Sequence, residues 1–369
     1  MKKTKIYFTS AILIFSNNFS YAADNIIAPE PEEMNYVRIC ETYGKGYFTI
    51  PGTQTCMALG GYVRSTTVVG RDPYDNTSYH SPSNSVRFTL NPKTASETEL
   101  GTLKTVTSLR FEWENGTESK GTGTLRQAVI QLGGLQLGLD FSAFVSFSNY
   151  LGDIISDDVI AYGGTRTAFI SYTYKNTNGF SAILSLEQGN NKDAGYKTKK
   201  DDEASLTNGG TINDYTPHVV AGAKYEQNWG TIAAVTAYDS VNDSWASKAK
   251  LDLKASDALS FWAQGAYKNN DDIYFDGKRK KTSFYGQWGG NWAAWSGFAY
   301  KMNPKTKLNV QVAYDASKTF ATSANLKYEM VPGLIIQPEL SYTKWNDPLA
   351  TDLYKQHALG GTLQIQRTF

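Results

Sequence analysis

KLNVQVAYDA, residues 307–316, is the stretch whose reading decides the fold class. In an extended chain successive side chains point to opposite faces. Leu308, Val310, Val312 and Tyr314 therefore share one face, and Asn309, Gln311, Ala313 and Asp315 share the other. VVAGAKYEQNWG (219–230) and ALSFWAQGAYK (258–268) alternate in the same way. Each segment offers one face suited to lipid and one suited to water. A soluble β-sandwich has the same local pattern, so the layout of the whole chain has to decide.

Working outward, the alternation predicts sixteen strands, near 57–69, 84–91, 100–114, 123–132, 134–141, 165–175, 179–188, 216–226, 230–240, 244–254, 258–268, 291–301, 307–315, 320–330, 334–345 and 357–369. Their connections form two alternating sets. One is short and turn-like, as in KNTNG, EQNWG, KASDA, MNPKT and MVPG. The other includes long segments, 69–84, 142–164, 188–215, 269–290 and 346–356. An even number of strands with short turns at one end and longer loops at the other is the pattern of an outer-membrane barrel. No blade-length repeat points to a propeller.

Composition agrees. Aromatic residues make up 13% of the chain, with 24 Tyr, and hydrophobic residues only 41%; mean hydropathy is −0.41. After the N-terminal region no run of apolar residues is long enough for a membrane helix. A formal charge of +1 offers no basic face for nucleic acid.

The two ends of the sequence carry export signals. MKKTKIYFTSAILIFSNNFSYA has Lys2, Lys3 and Lys5 before an apolar run and small residues at Ser20 and Ala22, which predicts a signal peptide over 1–22. At the other end, HALGGTLQIQRTF places Leu359, Leu363, Ile365 and Phe369 on one face and ends on an aromatic carboxylate. This resembles the terminal assembly signal of outer-membrane barrels, with Phe369 as its key residue. The only two cysteines, Cys40 and Cys56, belong to an exported chain, where a disulfide is possible. The three His are scattered singly, so a metal site is not expected and no cofactor is implied.

APEPEEMNYVRICETYGKGYFTIPGTQTC (28–56), followed by GGYVR, resembles the start of the alphaproteobacterial general-diffusion porins. ETELGTLKT, RQAVIQLGG, GQWGGNWAAW, AYDASKTFATSANLKYEMVPG and SYTKW extend the resemblance almost to the end. It implies an all-β, 16-stranded antiparallel transmembrane β-barrel, trimeric, with a third outer loop folded inward, passing small hydrophilic solutes and ions passively. It also implies that Cys40 and Cys56 form one periplasmic disulfide. The expected organisation is a signal peptide over 1–22, a periplasmic N-terminal segment over 23–56 holding that disulfide, and a barrel over 57–369.

A sixteen-stranded barrel is too wide for side chains to fill, so selectivity must come from whatever narrows it. The third outer loop, FSAFVSFSNYLGDIISDDVIAYGG (141–164), has no Lys or Arg but holds Asp153, Asp157 and Asp158. Ile154, Ile155, Val159 and Ile160 are suited to pack it against the wall. Parity sends Arg64, Arg87 and Arg110 inward from the first three strands, and Lys248 and Lys250 inward from the tenth. Arginine side chains keep their charge at physiological pH. Opposed acidic and basic walls would set a transverse field across the pore. Inward Glu112, Asp140, Glu187 and Glu339 nearly balance the bases, so no sign of ion selectivity follows from the sequence.

The run GKRKK (277–281) in an outer loop is of the kind that meets lipopolysaccharide phosphates, although such runs are more often solvated loop tips. Trp113, Tyr225, Trp245, Tyr267, Trp292 and Tyr342 are candidates for the interfacial aromatic girdles. The chain has no G-x-S-x-G, H-E-x-x-H or P-loop motif, so no enzyme is expected. The rival reading is an adhesin or ligand-binding barrel acting through its outer loops. The expected partners are two further copies of the chain, outer-membrane lipid and lipopolysaccharide, and the solutes themselves.

Overall fold

The computed structural model describes residues 38–114, 123–163, 166–190, 195–198, 204–207, 210–212, 214–275, 277–280 and 283–369. The expected signal peptide, most of the segment before Cys40 and Lys281 of the basic run lie outside the described residues.

Sixteen strands form one closed antiparallel sheet. The first six are β1 (Cys56–Arg71), β2 (Ser78–Thr98), β3 (Gly101–Glu114), β4 (Thr124–Leu132), β5 (Leu135–Phe141) and β6 (Arg166–Lys175). Next come β7 (Phe180–Glu187), β8 (His218–Gln227), β9 (Gly230–Asp239), β10 (Ser244–Lys254) and β11 (Leu259–Lys268). The last five are β12 (Trp292–Asn303), β13 (Thr306–Asp315), β14 (Phe320–Val331), β15 (Leu334–Lys344) and β16 (His357–Thr368). Each strand pairs with the next, and β1 closes on β16 from Tyr62 opposite Thr368 to Gly70 opposite Gly360. An unpaired edge would leave backbone groups without partners in lipid; closure removes it.

The alternation read from KLNVQVAYDA holds. Asn309 is 1% exposed and Val312 39%, so the apolar face of β13 is the outer one. Trp113, Tyr225, Trp245, Tyr267 and Trp292 all lie on the exposed side. The strand boundaries differ most at β2, which spans Ser78–Thr98 and not only the expected 84–91. The outer connections at 240–243 and 316–319 are as short as the inner turns, as the expected strand boundaries already had them. Two small hairpins, Gly195–Thr198 with Ala204–Thr207 and Ile273–Phe275 with Lys278–Lys280, stand in long outer connections.

Cys40 and Cys56 are joined in a disulfide. Cys56 is the first residue of β1 and does not precede it, so the sulfur bridge ties the N-terminal segment directly to the sheet. A short strand, Tyr47–Thr49, pairs antiparallel with Cys56–Ala58 and reinforces the same attachment. Among the described residues no helix is long and apolar enough to cross a membrane.

Candidate functional site: the inner face and the segment after β5

The chain leaves β5 at Phe141 and returns at Arg166. Ser142 caps a one-turn helix, Ala143–Ser146, its hydroxyl oxygen accepting from the Phe144 N–H at 3.0 Å. A Ser at this position satisfies one of the helix's unpaired donors. The helix delivers Phe144 and Phe147 into a buried cluster with Val220, Val235, Ala237 and Trp262. Gly222 on β8 makes room: a Cβ there would lie 2.9 Å from the Phe147 ring.

Beyond the helix, inward-facing side chains of four strands, β12 to β15, capture the backbone. Glu339 of β15 accepts from Ile155 N–H (2.6 Å) and Ser156 N–H (2.8 Å). Asn325 of β14 donates to the Asp153 carbonyl (2.8 Å), Gln311 of β13 to that of Asp157 (2.7 Å), and the Trp295 indole of β12 to that of Ile160 (2.9 Å). Ile154 and Ile160 are buried, as the sequence reading expects of them.

Lys248 and Lys250 point inward, but they are only 3% and 4% exposed. Lys248 Nζ donates to the Tyr162 carbonyl (2.9 Å) and sits 4.7 Å from the centre of the Phe144 ring. Lys250 Nζ donates to the Tyr150 carbonyl (2.8 Å) and pairs with Asp252 at 2.7 Å. This corrects their expected part as bare wall charges: both are covered by the segment and anchor it, because a buried ammonium needs acceptors.

The three acidic residues are separated by their partners. Asp153 pairs with Lys327 (2.7 Å) and Lys307 (3.6 Å). Asp158 accepts from the Tyr74 hydroxyl at 2.7 Å, and Asp157 from the Tyr162 hydroxyl at 2.9 Å. Burial, and then the neighbouring Asp158 charge, push the Asp157 carboxyl up to about 7. Among the described residues none of the three is ion-paired with Arg64, Arg87 or Arg110.

Those arginines stand on β1 to β3, next to β16 in the closed sheet. Arg64 lies opposite Arg87 in the β1–β2 ladder, and Arg87 opposite Glu112 in the β2–β3 ladder. Arg64 Nε donates to Gln366 at 2.8 Å and Arg87 forms an ion pair with Glu112. Among the described residues Arg110 makes no such bond, and its buried Nε has no partner. The wall is richer than expected, because Arg126 of β4 and Arg166 of β6 join it. Arg166 Nε donates to the Arg126 carbonyl at 2.6 Å, and its guanidinium lies 3.8 Å from the centre of the Phe141 ring.

A second outer segment, 283–290, was not singled out by the sequence reading. Phe284, Tyr285 and Trp288 are buried in the same cluster as Phe144. The Tyr285 hydroxyl donates to Glu187 (2.9 Å), and the Phe284 and Gly289 N–H groups donate to Asp239 (2.8 Å) and Asp315 (3.0 Å). Three aromatics among glycines in a loop, FYGQWGG (284–290), was the available signal. Arg279 of the basic run also turns inward, donating to the Trp288 carbonyl at 3.2 Å, so that run is not simply an exposed tip.

A closed sixteen-strand barrel, apolar outside and polar and charged inside, is the architecture of an outer-membrane channel. The Porin subfamily model matches residues 24–361, and the chain belongs to this family. It is 46% identical over 376 residues to the porin Omp2b of Brucella suis, covering 98% of each chain. It is 44% identical over 369 residues to Omp2b of Brucella abortus (strain 2308), again covering 98% of each. Among solved structures, the outer membrane channel DcaP of Acinetobacter baumannii superposes with a TM-score of 0.67 at 18% identity, over 87% of this chain and 99% of that one. Salmonella typhi OmpF superposes with a TM-score of 0.62 at 11% identity, with the same coverage. The protein is an outer-membrane porin of a Gram-negative bacterium.

Proposed function

We propose that the segment 142–163 folds into the lumen as the third outer loop and forms, with the basic wall of Arg64, Arg87 and Arg110, a charged constriction for passive diffusion of small hydrophilic solutes and ions. The observation that carries this reading is the row of bonds from inward-facing side chains of β12 to β15 to the backbone of Asp153–Ile160. Such bonds hold a loop against the inner face and off the rim. Asp153, Asp157 and Asp158 then border the passage, while Lys248 and Lys250 keep the loop in place from beneath. The porin works as a homotrimer embedded in lipid and lipopolysaccharide, an assembly carried over from the family.

Phe369 serves as the assembly signal at the seam of the barrel. Its N–H and C=O bond both ways with Gly61 (3.0 and 3.1 Å), and its ring stacks on Phe88 at 6.5 Å. Conductance of the purified protein in a planar bilayer tests the constriction. Stable openings are expected, and deleting 150–160 should raise the conductance of each step. An unchanged step after that deletion would place the narrowest point elsewhere.

A further inference from the structure

The alternation sends Glu187, the last residue of β7, to the inner face, where it is 1% exposed. Among the described residues it has no ion-pair partner. Three neutral donors meet it instead. The Ala143 N–H and the Ser185 hydroxyl donate to Oε1 at 2.9 and 3.1 Å, and the Tyr285 hydroxyl donates to Oε2 at 2.9 Å. Ser185 is a neighbour on the same strand, but Ala143 and Tyr285 belong to the two outer segments, 142–163 and 283–290. A buried carboxylate oxygen left without a donor is costly, so each segment seats best at Glu187 when the other is in place.

The shared carboxylate lies where segment 142–163 begins. Between Ser142 and Asn149 the Ala143 N–H is, among the described residues, the backbone group held by a side chain from outside the segment. The clasps from the barrel wall act further on, at Tyr150, at Asp153–Ile160 and at Tyr162. The far end of the segment returns to the same root. A Cβ at Gly163 would lie 2.6 Å from Val145 Cγ2 and 3.0 Å from the Phe144 ring, so only a glycine lets the two ends pack this closely. Segment 283–290 has a footing of its own, because its Phe284 and Gly289 N–H groups bond Asp239 and Asp315, at the ends of β9 and β13, and the Gly290 N–H bonds Asp272 at 2.6 Å. From that footing Tyr285 sets its ring against Phe144 in an edge contact, with centroids 5.4 Å apart, and extends its hydroxyl to Glu187.

We propose that Glu187 and Tyr285 are positioning residues for passage: segment 283–290 braces the root of segment 142–163, and this brace sets how much of the lumen the segment leaves open. This rests on the reading of 142–163 as the loop that narrows the pore. Both side chains are buried and act on solutes only through that loop. Apolar packing of Phe144 and Phe147 would still hold the root if the brace were lost, but such packing is non-directional. The root could then take a second seat, and the passage a second width.

Single-channel recording in potassium chloride tests the brace with Tyr285→Phe, which keeps the ring and loses the donor. The time spent at a second conductance level should rise about tenfold over wild type, as expected for loss of one hydrogen bond to a buried carboxylate. Glu187→Gln, whose amide keeps one acceptor oxygen, should populate the same second level. Tyr274→Phe removes a like hydroxyl from Asp347 (2.8 Å), a bond that involves no residue of 142–163, and should behave as wild type. Equal records from Tyr285→Phe and Tyr274→Phe would overturn the proposal. In a protein lacking 150–160, Tyr285→Phe should add nothing; an effect that persists there would overturn action through the loop. Hydrogen exchange of peptides spanning 142–150 in the detergent-solubilised protein needs no current. Faster exchange there in Tyr285→Phe, with β16 unchanged, supports the brace. Unchanged exchange, or exchange faster throughout the barrel, overturns it. A wild type without chloride current, or a tip deletion that leaves the conductance step unchanged, would break the reading as a narrowed pore, and the exchange result would still decide the brace.

Discussion

The inward side chains of β8–β14 and those of β1–β4 come from the same alternating strand pattern, yet they meet different surroundings. On β8–β14 they are buried by two outer segments, 142–163 and 283–290, around Phe144, Trp262, Tyr285, Trp288 and Trp295. Several polar groups there and on the adjoining β15 bond to backbone, as Glu339, Asn325 and Lys248 illustrate, while the buried Gln264 amide has no partner among the described residues. On β1–β4 the inner side chains remain partly exposed, and charge is left partly unmatched at Arg110 and Arg126. One side is built like the core of a soluble protein and the other like a solvated wall. The contrast teaches that a barrel sequence with one periodicity can divide its interior into a packed side and a more open side, according to where the loops come to rest.

The strongest way to break this comparison is to remove apolar volume from the packed half. Trp288→Ala leaves a cavity beside Trp295, whose ring centre lies 6.0 Å away, and should cost about 3–5 kcal/mol. Arg64→Gln on the open wall should cost under about 1 kcal/mol. Thermal loss of β-sheet circular dichroism compares the two, and equal losses would erase the distinction.

Next in size is the disulfide, which ties the N-terminal segment to the start of β1. Cys40→Ser opens a covalent loop of sequence separation 16 and should lower stability by about 3 kcal/mol in the chain-entropy treatment. Its channel conductance should match wild type, since the bridge lies outside the proposed passage. A changed conductance would mean that the attachment shapes the lumen.

Charge on the two sides should act in opposite directions. Replacing Arg64, Arg87 and Arg110 together by Gln should move the reversal potential in a salt gradient toward cations, by about twofold in permeability ratio. Asp153→Asn releases Lys307 and Lys327 from their partner and should move it toward anions. Shifts of the same sign would show that the two sides do not border one passage.

The smallest effect is a pH dependence. Asp157, pushed up to about 7 by burial and by Asp158, is protonated below that value and negative above it. Raising the pH from 6 to 8 should therefore move the reversal potential modestly toward cations. Asp157→Asn should abolish that movement, and a persisting pH shift in the variant would assign it to another group.

The linear sequence determined the architecture. Period-two alternation and turn residues recur sixteen times and need only local information, because a strand's face is set by parity. The inward direction of Arg64 and Arg87 followed for the same reason. The neighbours of a loop did not follow, since they depend on contacts between residues such as Ile155 and Glu339 that are 184 positions apart. Lys248 and Lys250 had the right direction, but their burial depended on where 142–163 settled. Arg126 was missed because parity fails at a bulge, and an extra residue becomes visible only when two strands are paired and one side chain is left over. The sequence thus determined which residues line the barrel, and the tertiary structure alone decided which of them are covered and which are paired.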